Sequence, residues 1–240
     1  MENKTQSLTS FGLILGLSII ISFGLGSYTF YKLRTGDTIS VTGSAMKEVT
    51  SDKVKWTSSI TRTAKASTIK DGYTAMDADL TAVKDFLKTN GINDTDIVIS
   101  PIFMNEIYDQ NAQAEKNYNL VQNIEVQSSD IQKITDLSKN TTLVTTKGIL
   151  FSTNSLEYYY SKLADMRVSL LPEAIADAKA RAESIATAGG NKIGAIKSAS
   201  SGVVQVLSAN SVEVSDYGSY DTSKIQKDIM VTVKASFAIN

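Results

Sequence analysis

Two short stretches hold the side chains best placed to do chemistry. SDYGSYDTS, residues 215 to 223, sets Asp216 and Asp221 beside Tyr217 and Tyr220 around Gly218. Carboxylates and hydroxyls near a tight turn are the oxygen ligands that Ca²⁺ takes. The spacing is not that of a calcium loop, and Asp, Gly and Ser are ordinary turn residues, so a plain turn is the expectation. EYYYSKL, residues 157 to 163, offers Tyr158, Tyr159 and Tyr160 as a stacking surface or an oligomer contact. Tyrosines along a strand also commonly sit half in a core with the hydroxyl in water. Asp165 with Arg167, and Asp177 with Arg181 at i,i+4, read as surface pairs rather than a charge relay.

What the chain lacks narrows the chemistry further. It has no histidine and no cysteine. That removes imidazole general bases, Ser-His-Asp and Cys-His nucleophile systems, the usual zinc ligand sets and any disulfide framework. GGNKIGA, residues 189 to 195, has glycine and lysine without the order of a phosphate loop. With 24 basic and 25 acidic residues and no long run of one sign, no basic face for nucleic acid is expected. Carboxylate pairs, lysine chemistry and oxygen-only metal sites survive. No residue is singled out as catalytic, cofactor-binding or metal-ligating, and no cofactor is expected.

The elements that would position these groups begin with FGLILGLSIIISFGLGSYTFY, residues 11 to 31, which carries no charge. At about 1.5 Å per residue it reaches roughly 31 Å as a helix, close to a bilayer's hydrocarbon thickness. Lys4 precedes it, Lys32 and Arg34 follow, and Tyr28, Phe30 and Tyr31 cluster at its far end like half an aromatic belt. The favoured reading is an uncleaved membrane span. A cleaved signal, with Gly24-x-Gly26 as its weak processing site, and a buried core helix are the alternatives. The basic residues alone lean toward a cytoplasmic C-terminal domain. Small residues recur every fourth position, as Gly12 and Gly16 and as Ser18, Ser22 and Gly26. That spacing lets spans pack closely, although glycine is common in membrane helices anyway. The expected organisation is a tail at 1–10, the span at 11–31, a linker at 32–37 and one domain at 38–240.

Within that domain, residues 38–48 and 53–63 read as strands, with Val54, Trp56, Ser58 and Ile60 on one face. Ile69, Tyr73, Met76, Leu80, Val83 and Leu87 lie on one helical stripe, opened by a Thr68–Asp71 capping box and stopped at Asn90-Gly91. Residues 96–107 form a strand with Pro101 at an edge or bulge, and 118–127 form another. A short helix runs from Ser129-Asp130 to about Lys139. Residues 143–153 are expected as a strand with Gly148 at a bend. The second long helix carries Leu171, Ile175, Ala178, Ala182 and Ile185 as its stripe, with Pro172 either in its first turn or kinking a helix that begins near 162. Strands at 192–207 and 228–240 follow; Ile229 through Ile239 alternate strictly. The fold class is α+β: one N-terminal transmembrane helix, then a largely antiparallel sheet packed with two long helices and one short helix.

ISVTGSA followed by DKVKWTSSI, then GINDTDIVIS, LLPEAIADAKARAESIA with GGNKIGAIKSA, and the tail from SSGVVQV to DIMVTVKASFAI together resemble the SIMPL domain family, from about residue 38 to 240. The resemblance implies a bacterial envelope protein, exported or membrane-tethered, with an extracytoplasmic (periplasmic) domain. Some relatives assemble into hollow oligomers and others are associated with oxidative-stress tolerance. It supplies no family catalytic site. The expected function is therefore non-enzymatic: a single-pass protein anchored through residues 11–31 that works by self-assembly into a homo-oligomer or by binding a partner. A small-molecule-binding module, or a histidine-free hydrolase using Asp, Glu or Lys, is the alternative.

Overall fold

The computed structural model describes residues 2–34, 37–108, 115–209, 211 and 217–240. Its first element, helix α1 (Glu2–Arg34), starts well before the apolar run, because no glycine or proline interrupts residues 2–10. Phe11–Phe30 has a mean hydropathy of 1.9 and none of it is buried. That removes the core-helix reading and leaves a stretch long and apolar enough to cross a membrane.

The strands are β1 (Thr38–Thr50), β2 (Lys53–Lys65), β3 (Ile97–Ile107), β4 (Asn117–Ser128), β5 (Leu150–Tyr159), β6 (Ile193–Ser208) and β7 (Gln226–Ile239). The helices after α1 are α2 (Ile69–Thr89), α3 (Ile131–Lys139), the single turn α4 (Thr142–Thr145) and α5 (Leu163–Ala188). Two sheets result, in the orders β1-β7-β6 and β3-β4-β2-β5. The fold is α+β, as the sequence pattern requires. The chain divides into two compact units, Met46–Leu170 with Val203–Val231, and Met1–Ala45 with Leu171–Gly202 and Thr232–Asn240.

In the first of these units β2 pairs antiparallel with β4 along its length and with β5 on its other side. The predicted face of β2 is buried at Val54, Trp56, Ser58 and Ile60, each at most 1 % exposed. Full burial of such an apolar side chain contributes about 1.5–3 kcal/mol. Met76, Val83, Phe86 and Leu87 of α2 and Ile134 of α3 close over that layer. Trp56 meets Phe151 edge to face with ring centres 5.9 Å apart. Its indole N–H donates to Thr153 Oγ1 at 3.2 Å, so the buried polar atom is satisfied.

Several local expectations need correction. Thr68 stands at the N-terminus of α2 but its side chain caps nothing, and Tyr73 is 38 % exposed at the stripe's N-terminal end. Residues 143–148 do not continue β5 backwards. They turn through α4 and Gly148, whose φ of 75° is left-handed, and this brings Val144 into the core. Tertiary burial overrides the strand preference of that β-branched run. By contrast, Pro101 does mark a bulge, between Ile99 and Ile102. Gln122 Nε2 donates to Ser100 O at 2.9 Å and Ser100 Oγ accepts from Asn123 N at 2.9 Å, so the disrupted ladder is satisfied locally. Asp130 caps α3 by accepting from Lys133 N at 3.0 Å.

In the other unit the buried line of α5 is Ala174, Ala178, Ala182 and Ala186, all at most 2 % exposed. Ile175 and Ile185, expected on that stripe, are 37 % and 54 % exposed. The helix is rotated because strand β1 approaches too closely for a large side chain. A Cβ on Gly43 would collide with the carbonyl of Ala174 and the backbone of Ala178. Ser44 N donates to Asp177 Oδ2 at 2.8 Å beside this contact. α5 begins at Leu163, so Pro172 lies inside it and not in its first turn, in keeping with the reading of a helix that starts near 162.

Candidate functional site

The sequence-predicted turn is a strap along one edge of the four-stranded sheet. Gly218 has φ 84°, and the segment is pinned to β6 by Val206 N to Ser219 O at 2.7 Å and Asp221 N to Val206 O at 2.8 Å. Thr222 O then accepts from Tyr158 N at 2.8 Å, and Tyr220 Oη accepts from Tyr160 N at 2.9 Å. These bonds occupy an outward-facing amide of β5 and the amide just past its end. The Asp221 carboxylate accepts from Ser223 N and Ser223 Oγ, both at 2.7 Å. The Ser223 hydroxyl, then its amide, hold that carboxyl below its ordinary range. Asp221 and Tyr220 are therefore engaged in a local turn, as expected from the turn residues, and Asp216 lies outside the described residues. Among the described residues no group of three acidic side chains could hold a metal ion.

The three tyrosines separate. Tyr158 is 7 % exposed and shares a hydrogen bond of 3.1 Å with Thr135 Oγ1, so it is core and not an oligomer contact. Tyr159 points to the opposite face, where its hydroxyl donates to Glu157 Oε2 at 3.2 Å. Lys55 Nζ binds the same carboxylate at 2.5 Å and lies 5.9 Å from the Tyr159 ring centre. The lysine holds Glu157 below the carboxylate range, while burial and then Glu157 push the Tyr159 hydroxyl up. Tyr159 and Tyr220 lie 5.8 Å apart, and Lys227 Nζ is 5.7 Å from the Tyr220 ring centre. The result is two tyrosines stacked between two lysines, a cation–π arrangement that fixes the strap.

Lys227 was not singled out by sequence, although it has the parity of Ile229, Val231 and Val233 and so lies on the buried face. It is fully buried, its ammonium donates to the carbonyl of Asp221, and burial pushes its basicity down against that neighbour's charge. Asp79 was missed as well. It falls three residues after Met76 and four before Val83, on the stripe itself, and is 5 % exposed. Arg62 binds it bidentately, Nε to Oδ2 at 2.6 Å and a terminal nitrogen to Oδ1 at 2.8 Å. Of the expected surface pairs, Asp177 accepts from Arg181 Nε at 2.9 Å and also serves Ser44 N. Asp165 and Arg167, two apart on the helix, do not face each other.

The opposite edge of the same sheet is different. β3 is bonded to β4 and, among the described residues, to no further strand or strap. It exposes Val98, Phe103, Met104 and Ile107 by 42–57 %. Its single charge, Glu106, is engaged by Lys116 Nζ at 3.0 Å. On α1, Gly12, Leu13, Gly16, Leu17 and Ile20 line a shallow apolar groove, and Ser18 Oγ turns back to Leu15 O at 2.8 Å.

These features define a class: an apolar N-terminal helix leading into an α+β domain whose buried carboxylate is committed to a structural ion pair. The SIMPL family profile, described as a protein of unknown function (DUF541), matches residues 39–237. The chain belongs to the SIMPL family. No curated protein matches it.

Proposed function

We propose that this chain is a single-pass membrane protein whose SIMPL domain lies on the extracytoplasmic, periplasmic side and works without catalysis, by self-assembly. The observation that carries this reading is the contrast between a strapped β5 edge and an uncovered, largely apolar β3 edge. An open edge strand is a template for a further strand. A second copy is the partner that fits. Segment IFMNEI, residues 102–107, paired antiparallel with itself about Met104, sets Ile102 opposite Glu106 and avoids a carboxylate pair. Anchoring through Phe11–Phe30 concentrates copies in two dimensions, so a modest interface suffices. The engaged state of Asp79, Glu157 and Asp221 supports a non-enzymatic role over a hydrolase. A role in envelope or oxidative-stress tolerance accords with the family resemblance.

The test is cross-linking of the full chain in native membranes, with Phe103→Lys and Met104→Lys combined as the broken edge. Dimers or larger species in the parent and monomers in the variant, with thermal unfolding unchanged, are expected. A monomeric parent, or a variant that cross-links equally, overturns self-assembly through β3. A reporter active only outside the cytoplasm, fused after Asn240, must give signal; signal from a cytoplasmic reporter alone overturns the orientation.

A further inference from the structure

On the face of the four-stranded sheet opposite the Trp56 layer, an open groove of about 670 Å³ crosses one end of all four strands. Val98 reaches it from β3, Gln127 from β4, Lys53 and Lys55 from β2 and Tyr159 from β5. The register explains the convergence: Lys53 lies opposite Tyr159, and Lys55 lies opposite both Gln127 and Glu157. The volume falls within the several hundred cubic ångströms usual for small-ligand sites.

The charges lining it are unequal in use. Lys55 is held by Glu157. Lys53, at the groove's β2 side, makes no ion pair among the described residues. On the β3 side the carboxylate of Asp96 accepts from Asn93 Nδ2 at 3.2 Å and Thr95 Oγ1 at 3.5 Å, and no ion pair engages it among the described residues. One ammonium without an ion pair and one carboxylate held only by neutral donors thus face a common space, with Gln127 of β4 between them. Adjacent strands are about 4.8 Å apart, so the backbones of Lys53 on β2 and of Asp96, just before β3, lie on the order of 10 Å apart with β4 between. A single amino acid is too short to bridge that gap. An extended chain advances about 3.3–3.6 Å per residue, so two or three residues span it.

We propose that this groove binds a short peptide by its two free termini, the carboxylate on Lys53 and the ammonium on Asp96, with its backbone crossing β4 at Gln127. This site is separate from the β3 edge interface in chemistry and stands or falls independently of self-assembly. Charge-assisted hydrogen bonds at each end supply the orientation, and the neutral analogue forgoes both.

The test is calorimetric titration of the full chain in lipid nanodiscs with trialanine, N-acetyl-trialanine and trialanine amide. Trialanine should bind with a Kd on the order of 1 mM, as its few heavy atoms permit. Either cap should weaken binding by about tenfold or more. Lys53→Gln should make acid and amide bind alike while keeping the penalty for acetylation. Asp96→Asn should do the reverse. Both residues are at the surface, and unchanged melting temperatures verify folding. Failure of trialanine to saturate by about 10 mM, equal binding of the capped peptides, or variants that discriminate as the parent does would each overturn the proposal.

Discussion

The two edges of the β3-β4-β2-β5 sheet face the same problem and meet it in opposite ways. At β5, backbone donors that would otherwise be open are taken by Thr222 O and Tyr220 Oη from a strap far along the chain. At β3 the bulge at Pro101 interrupts the ladder, and the stretch beyond it remains apolar and uncovered by described residues. Edges are generally blunted by charge, proline, bulges or cover. β5 has cover, while β3 has one proline and one engaged glutamate. The lesson is that, among the described residues, this sheet is terminated on one side only, and the terminated side depends on a strap held by the buried Lys227.

The most damaging way to break the contrast is to hollow out the closed edge. Tyr158→Ala should destabilise the domain by about 3–5 kcal/mol, the range for deleting a buried aromatic ring. Tyr158→Phe, which removes only the bond to Thr135, should cost about 1 kcal/mol. Denaturant midpoints separate the two, and equal losses would show that the hydroxyl, not the ring, holds the site.

A smaller effect is expected from Lys227→Ala. The substitution leaves the Asp221 carbonyl unpaired and the strap without its cation, a loss of about 1–3 kcal/mol. Amide exchange at Tyr158 should accelerate while exchange at paired amides of β4 does not. Uniform acceleration would mean that Lys227 supports the whole fold instead of the strap.

The mildest intervention is acid. Asp221 is held below the ordinary carboxylate range by Ser223, so its contribution is present above the unfolded value near about 4. It is lost as pH falls through the depressed folded value. Lys227 runs the other way: its lowered basicity means the unfolded chain binds more protons at alkaline pH, so its cost is relieved as pH rises toward the unfolded value near about 10.4. Protection of the Tyr158 amide, corrected for intrinsic exchange, should fall below pH 4, and Ser223→Ala should move that loss upward. A pH-independent protection ratio would sink this account.

How much of this was visible beforehand follows from where periodicity is decided. The alternation from Ile229 to Ile239 and the stripe of α2 are set by side chains that fill one face, so they could be read directly. Lys227 and Asp79 obey the same periods, yet as charged residues they look like interruptions until Asp221 O and Arg62 appear beside them. The stripe of α5 was misplaced for a different reason. Apolar size favours Ile175 and Ile185, whereas close approach at Gly43 demands alanine, and that depends on a residue more than a hundred positions away. The strap and the groove join β2, β5 and residues 217–225, partners set by topology and not by local spacing.

The C-terminal strand also carries a mechanical meaning. β1 opens a few residues after the apolar helix α1 ends at Arg34, and Ile239 N donates to Asp37 O at 3.0 Å at that junction. Asn240 and Lys192 exchange paired backbone bonds of 2.8 and 3.0 Å next to it. Force applied along α1 therefore enters this unit at a backbone clamp in which Ile239 and Asn240 hold the start of β1 and the start of β6 together.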